Sequence, residues 1–244
     1  MSNNIAVCIA TYQGAKFIEA QLASIVLQLA TGDHILLADD GSTDATVDIV
    51  SKNFPEVRIV AVERVGGVVE NFERVLNAAH ASGAALIVLC DQDDVWNAGR
   101  LELIRTVLRD ADLMSMDGVV VDDQLRPNGD TIASTVGVRR GLVANLAKNS
   151  YVGCCMAFRR HLLDIALPFP PRLAWHDWYI GLIAESLFKV ARLPDITILY
   201  RRHGANHSPT GEKSGYSASK RLFMRIHMLL AVLTAVWRYL INAR

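Results

Sequence analysis

The sequence predicts an α/β fold: a mostly parallel sheet with a Rossmann-like nucleotide-binding half, covered by helices on both faces as a three-layer α/β/α sandwich. Three observations lead there. Short continuous apolar runs alternate with segments of helical period through the first 110 residues, the pattern that successive βα units produce. Polar clusters follow directly after three of those runs, where ligands of open α/β sheets bind. A chain of 244 residues, 51% of them apolar, is long enough for one substantial buried core.

In chain order, Ile5 to Ala10 is an apolar strand, and Ala15 to Leu29 follows with Phe17, Ile18, Leu22, Ile25, Val26 and Leu29 on one helical face. Ile35 to Ala38 is the second strand, and Asp44 to Phe54 a helix started by the Ser42, Thr43 and Asp44 capping cluster and stopped by Pro55. Val57 to Val62 is the third strand, Val68 to Ala81 the third helix, Ala85 to Cys90 the fourth strand, and Arg100 to Arg109 a closing helix. The polar clusters are Thr11-Tyr12-Gln13, Asp39 to Asp44, and Asp91 to Asp94, which this topology gathers in one crevice. Neither a G-x-G-x-x-G signature nor a Walker loop is present.

The second half is less regular. Leu113 to Val121 reads as one or two short strands, Asp122-Asp123 with Pro127-Asn128-Gly129 as a turn, Gly141 to Lys148 as a short helix, and Val152 to Phe158 as a strand before a helix over Arg160 to Ala166. Pro168, Pro170 and Pro171 forbid regular structure. Trp175-His176-Asp177-Trp178 opens a helix to about Phe188, with Asp177 as its cap. Val190 to Arg192 and Ile196 to Tyr200 are short strands, and Ser208 to Ser219 a loop. Residues 1–208 thus form a single domain and 209–244 a loop with a basic amphipathic C-terminal helix. Its uninterrupted apolar stretch, Met228 to Trp237 with only Thr234 polar, is ten residues, short of the roughly 20 that cross a bilayer. Two placements stay open: in the headgroup region with Trp237 and Tyr239 at the interface, or packed on the domain or a partner subunit.

The formal charge is zero, but eight Lys/Arg face one acid after Asp195, so an acidic body carries a basic tail and an anionic surface is the expected neighbour. No nucleic-acid partner is expected. Cys8, Cys90, Cys154 and Cys155 lie in apolar runs without zinc-ligand or disulfide spacing. They read as core thiols of a reducing compartment. With a strand at the N-terminus and no signal peptide, the expected location is cytoplasmic, at the inner face of the membrane if the tail binds lipid.

The chemistry concentrates at Leu86 to Trp96, where a buried strand runs into Asp91, Asp93 and Asp94. Crowded carboxylates resist ionising together unless a positive charge sits among them, and Mg²⁺ or Mn²⁺ would supply it; a solvated acidic turn is the plainer alternative. Six segments together resemble family 2 of the glycosyltransferases, and within it the bacterial rhamnosyltransferase-like group. They are Thr11-Tyr12-Gln13-Gly14 (with Gln13 where Asn is usual), Asp39 to Asp44, Asp91-Gln92-Asp93-Asp94-Val95-Trp96, Gly153-Cys154-Cys155-Met156, His176-Asp177-Trp178, and Tyr200-Arg201-Arg202-His203-Gly204-Ala205-Asn206.

The resemblance implies a glycosyltransferase A-type fold, with residues 1–110 as the nucleotide-sugar donor half and 111–208 as the acceptor half. It implies a metal on Asp93, with Asp91 near the donor ribose and sugar and Asp94 an acid behind them or a helix cap. His203 resembles a further metal ligand of some relatives, and an exposed loop histidine beside two arginines is the equal alternative. A uridine or deoxythymidine diphosphate donor would be held by Thr11, Tyr12, Asp39 and Asp40, because a strand-end carboxylate can accept the pyrimidine N3–H. Arg201 and Arg202 could help hold the diphosphate or be simply surface charge. Asp177 would be the catalytic base of an inverting transfer to a glycan hydroxyl, one that is lipid-linked in some relatives. Trp175, His176 and Trp178 would shape the acceptor pocket, with a place in the core equally open to them. Leu89 to Val95 also fits the Asp-x-Asp-x-Val nucleophile motif of haloacid-dehalogenase-type phosphatases, although three βα units precede it here. A non-catalytic nucleotide-sugar-binding module is the third reading, which intact Asp93 and Asp177 argue against.

Overall fold

The computed structural model describes residues 3–203 and 216–242. Gly204, Ala205 and Asn206 of the closing motif, and most of the loop expected at 208–219, lie outside the described residues. The parallel half consists of β1 (Ile5–Thr11), α1 (Ile18–Val26), β2 (His34–Asp39), α2 (Thr46–Asn53), β3 (Val57–Ala61), α3 (Val68–Ser82) and β4 (Leu86–Cys90). β5 (Val95–Trp96), α4 (Arg100–Val107), β6 (Leu113–Val121), β7 (Pro127–Thr131), α5 (Ile132–Val136) and α6 (Leu142–Ala147) follow. A 3₁₀ turn (Gly153–Cys155) leads into β8 (Met156–Arg159), α7 (His161–Ala166), α8 (His176–Leu187), β9 (Val190–Arg201) and α9 (Ala218–Asn242).

One sheet runs β3-β2-β1-β4-β8-β6-β9-β5, with β7 beside the far end of β6. The first four strands are parallel. β8 enters antiparallel between β4 and β6, so parallel pairing is confined to the N-terminal half and the β6–β9 pair. Side chains alternate across a strand: Ile5, Val7 and Ile9 pack into one core with α1 and α4, while Ala6 and Cys8 face the other core with α3, α7 and α8. These are the two interlayer spaces of the sandwich. All four cysteines are buried and free.

The second half departs from the sequence pattern in places. Residues 127–131 form a strand on β6 and not only a turn. The short strands expected at 190–192 and 196–200 are one strand, β9, whose register on β6 slips between Ser115 and Asp117. Pro194 lies in that slip; without an N–H it cannot join the ladder, and the chain bulges around it. The apolar run 152–158 is split by the 3₁₀ turn. Helix α2 starts at Thr46 with Ala45 in the cap position. Of the expected capping cluster, Asp44 Oδ1 accepts from Thr46 N–H (3.0 Å), while Gln13 Oε1 accepts from Thr43 and Asp44 N–H and joins the first two polar loops.

In α8, Gly181 allows close packing: a Cβ there would stand 2.4 Å from carbons of the Tyr151 ring. That ring is held by its hydroxyl donating to Glu185 Oε1 (2.9 Å) and by the Arg192 guanidinium 4.2 Å above it. Gly181→Ala would gain about 1 kcal/mol of helix propensity, but the clash belongs at the upper end of the roughly 1–3 kcal/mol range for overpacking. Thermal denaturation is therefore expected to show a net loss of about 2 kcal/mol, or about 4–8 °C in Tm. An unchanged Tm would mean the ring yields.

Helix α9 seats on the domain through Met228, Ala231, Val232 and Ala235, with Tyr239 edge-on to Phe188. Tyr239 therefore turns toward the domain. By length and composition, the 25-residue helix also meets the requirement for crossing a membrane, which the ten-residue count excluded by considering too short a segment.

Candidate active site

β1 pairs with β2 on one side and β4 on the other, in register so that Thr11 stands beside Asp39 and Ile9 beside Cys90. The strand order reverses across β1, and a crevice opens at the carboxyl ends of β1 and β4. Thr11, Tyr12, Asp40, Arg64, Asp91, Gln92 and Asp93 line it from the parallel half, and Val152, Gly153, Trp175, His176, Asp177 and Tyr200 from the other. Asp93 and Asp177 thus share one cavity.

The parallel side is tied together by side-chain to backbone bonds. Gln92 holds Tyr12 at both ends, accepting from its N–H (2.8 Å) and donating to its carbonyl (3.0 Å). Gly14 is required for this, since a Cβ there would fall 2.5 Å from Gln92 Oε1. Arg64 donates to the Tyr12 hydroxyl (3.1 Å) and lies 5.2 Å over its ring. The Asp40 carboxylate reaches the cavity and accepts from the N–H groups of Val65 and Gly66. Asp39 differs from the expectation. It is fully buried, outside the lining, and accepts from Ser42 N–H (2.7 Å), Ser42 Oγ (2.6 Å) and Thr11 Oγ1 (2.8 Å). It organises the loop and does not reach the cavity.

The acid cluster is more compact than spacing alone conveys. Burial, then the charges of Asp93 and Asp177, push Asp91 up to about 7. Burial, then Asp93 and Asp91, hold Asp94 well above the usual carboxylate range. Asp94 Oδ1 accepts from Arg201 N–H (3.0 Å), whereas its Oδ2 is buried with no hydrogen-bond partner among the described residues. Ligand atoms of Asp91, Asp94 and Cys154 lie within 4.8 Å of one another. His203 Nε2 is 2.8 Å from Asp93 Oδ2, its ring stacked on Phe17. Crowded carboxylate oxygens, one of them orphaned, with an imidazole alongside fit a hard divalent cation. The neighbouring Cys155, burial and the nearby acids raise the Cys154 thiol well above its ordinary pKa, and soft sulfur is in any case a poor partner for a hard ion that prefers oxygen.

Arg201 also corrects the expectation. Its Nε donates to the Asp93 carbonyl (2.8 Å), an Nη donates to the Asp123 carbonyl, and the guanidinium lies 4.6 Å over the Phe17 ring. It braces the acidic loop from behind and is not among the residues that line the cavity. Arg202 stands outside the cavity lining, its N–H on the Val121 carbonyl.

On the opposite wall, the 3₁₀ turn and the start of α8 present Asp177. Its Oδ2 accepts from Gly153 N–H (3.1 Å) and its Oδ1 from Trp178 N–H (2.6 Å), so it sits in the first turn while Trp175 occupies the cap position. Burial raises Asp177 to about 6. His176 stacks on Phe72 at 4.0 Å, and neither ring nitrogen has a hydrogen-bond partner among the described residues. Burial lowers it to about 3, keeping it neutral. Trp175 lines the cavity, but Trp178 does not: it is buried in the core, its indole donating to the Asn145 carbonyl (2.9 Å).

Arg64 and Asn71 line the cavity without having been singled out in the sequence, and Gln92 and Tyr200, which stand in two of the quoted motifs, line it without having been given a role there. Asn71 carried a legible signal, as an amide among the apolar positions of α3 (Val68, Phe72, Val75 and Leu76). It donates to the Thr11 and Ala38 carbonyls.

A family model described as Glycosyl transferase family 2 matches residues 6–165. The chain is 26% identical over 219 residues to an uncharacterized glycosyltransferase of Nostoc sp., covering 83% of this chain and 66% of that protein. It is 25% identical over 221 residues to the dTDP-rhamnosyl transferase RfbG of Shigella flexneri, covering 81% of this chain and 72% of RfbG. S. aureus TarS residues 1–349 in complex with UDP-GlcNAc superpose with a TM-score of 0.71 at 18% identity, over 96% of this chain and 66% of that one. The mannosyltransferase PcManGT of Pyrobaculum calidifontis, in complex with GDP-Man and Mn²⁺, gives 0.58 at 21% identity, over 96% of this chain and 64% of that one. The mixed sheet and its layers match these glycosyltransferase A-type structures. The chain spans 66%, just under two thirds, of the length of the Nostoc relative.

Proposed function

The chain belongs to glycosyl transferase family 2, and on that footing we propose that it moves a deoxyhexose such as L-rhamnose from a dTDP- or UDP-sugar to a hydroxyl of a glycan acceptor, with inversion, in the assembly of bacterial surface polysaccharide. The observation that carries the reading is that Asp93 and Asp177, far apart in sequence, line one cavity with Thr11, Tyr12 and Asp40. The deoxysugar and the dTDP donor draw support from the likeness to RfbG, and the UDP alternative from the likeness to a UDP-GlcNAc complex. Family membership and the position of the acid motif on the fourth parallel strand set aside the phosphatase reading.

In this proposal Tyr12 flanks the base and Asp40 accepts its N3–H. Asp177 takes the acceptor's hydroxyl proton as the oxygen bonds to the anomeric carbon, and the bonding pair of the departing C–O bond leaves with the nucleoside diphosphate. Gly153 N–H and Trp178 N–H aim the Asp177 carboxylate. His176, neutral and buried beside it, offers one donor and one acceptor to sugar hydroxyls. Asp93 and His203 would hold a Mg²⁺ or Mn²⁺ ion, with Asp91 and Asp94 beside them, and such an ion supplies Lewis-acid stabilisation of diphosphate charge.

Calorimetric titration with dTDP-rhamnose, a UDP-hexose and a GDP-hexose in the presence of Mg²⁺ tests the donor. Binding of either pyrimidine donor with at least about tenfold preference over the guanine one is expected, and preference for GDP-hexose would overturn the assignment. The sign of the pH dependence follows from Asp177. As pH falls through about 6 the carboxylate is protonated and the base is lost. Transfer at subsaturating substrates should therefore fall about tenfold per pH unit below that value. A rate that is flat down to pH 4.5 would remove Asp177 from the role.

A further inference from the structure

Helix α9 has two apolar faces, and the domain covers one. Met228, Ala231, Val232 and Ala235 are buried against it. At 3.6 residues per turn, Leu222, Ile226, Leu230, Leu233, Trp237 and Leu240 fall on the opposite side in one stripe, each between 51% and 63% exposed. Scattered apolar residues on a surface need no explanation, but a continuous stripe of six large ones marks a contact surface.

The charges around the stripe identify its partner. Residues 216–242 contain no Asp or Glu. Lys220 and Arg238 lie about five turns apart on one flank, and Arg225 approaches from the other. A second copy of this chain would bring those basic groups face to face, whereas anionic headgroups would neutralise them. We propose that the outer face of α9 docks on an anionic bilayer, the helix lying flat with the stripe among the upper acyl chains and Lys220, Arg225 and Arg238 on lipid phosphates. Crossing the bilayer would require α9 to leave its seat on the domain, so a peripheral placement is the one compatible with the fold.

Sedimentation of the full chain with vesicles tests this without any sugar-transfer readout, so it stands or falls separately from the donor assignment. The bound fraction is expected to be about tenfold higher on phosphatidylcholine vesicles containing about 30% phosphatidylglycerol than on phosphatidylcholine alone, with the difference removed by high salt. The exposed-face variant Ile226→Ser, Leu230→Ser, Trp237→Ser, checked for unchanged circular dichroism, should lose binding about tenfold. Should that variant misfold, tryptophan emission decides instead: it should shift to the blue on anionic vesicles in the natural chain and not in Trp237→Phe. Three results would overturn the proposal: no sedimentation with either vesicle, full binding by the triple variant, or a concentration-dependent dimer that the serines abolish.

Discussion

Asp177→Asn is expected to lower sugar transfer by about 10²–10⁴-fold, the range attributed to a positioned general base, while leaving nucleotide affinity within about twofold. Asparagine has the same shape, and its Oδ1 can keep one of the two backbone bonds that Asp177 accepts from Gly153 and Trp178. It cannot take a proton. The substitution also removes one of the charges that raise Asp91, so the acid cluster across the cavity should ionise more readily and any metal affinity should not fall. Single-turnover rates measured alongside calorimetric nucleotide binding separate the outcomes. Retained transfer would mean that the base lies elsewhere, whereas loss of transfer and binding together would mean that Asp177 mainly supports the cavity wall. A non-catalytic module would show no transfer to lose.

The second large effect concerns the acid cluster. With saturating Mg²⁺ or Mn²⁺, dTDP or UDP at about a hundred times its Kd should stabilise the natural chain by about 2.7 kcal/mol, or about 5–10 °C in Tm for a chain of this size. EDTA should abolish most of that shift, and Asp93→Ala should abolish it even with metal present. The reason is the composition of the cavity. Among the described residues its wall carries Asp40, Asp91, Asp93 and Asp177, with Arg64 as the basic side chain that lines it. A diphosphate entering there meets carboxylates first, and without a cation the repulsion outweighs the contacts made by the base. A metal-independent shift of equal size would show that Arg64 and loop N–H groups suffice.

Much of the donor half was readable because its signals are local. Buried parallel strands appear as unbroken apolar runs, and their spacing forces right-handed crossovers that bring the loops after β1, β2 and β4 to one edge. The acceptor half was less readable. β7 begins at Pro127 and includes Asn128 and Gly129, a turn composition that becomes a strand because β6 offers an open edge. β9 was divided in two by Pro194, although β6 holds both parts in one strand across the register slip. Pairing with a distant strand decided both cases, and no local preference records it.

The order of strands and helices, the crevice at the strand ends and the acids gathered there follow from the linear pattern of apolar and polar residues, because burial on both faces of a sheet leaves few arrangements. Which acid does what was decided only in three dimensions. Asp39 and Asp40 are neighbours, yet one is fully enclosed by Thr11 and Ser42 while the other reaches the cavity. Trp175 and Trp178 divide in the same way between cavity and core, and Arg201 braces the acidic loop through carbonyls of Asp93 and Asp123. Successive side chains leave the backbone in different directions, and the partner each one meets comes from a distant segment. A residue's type therefore states what chemistry it can perform, and long-range packing states whether it faces a ligand.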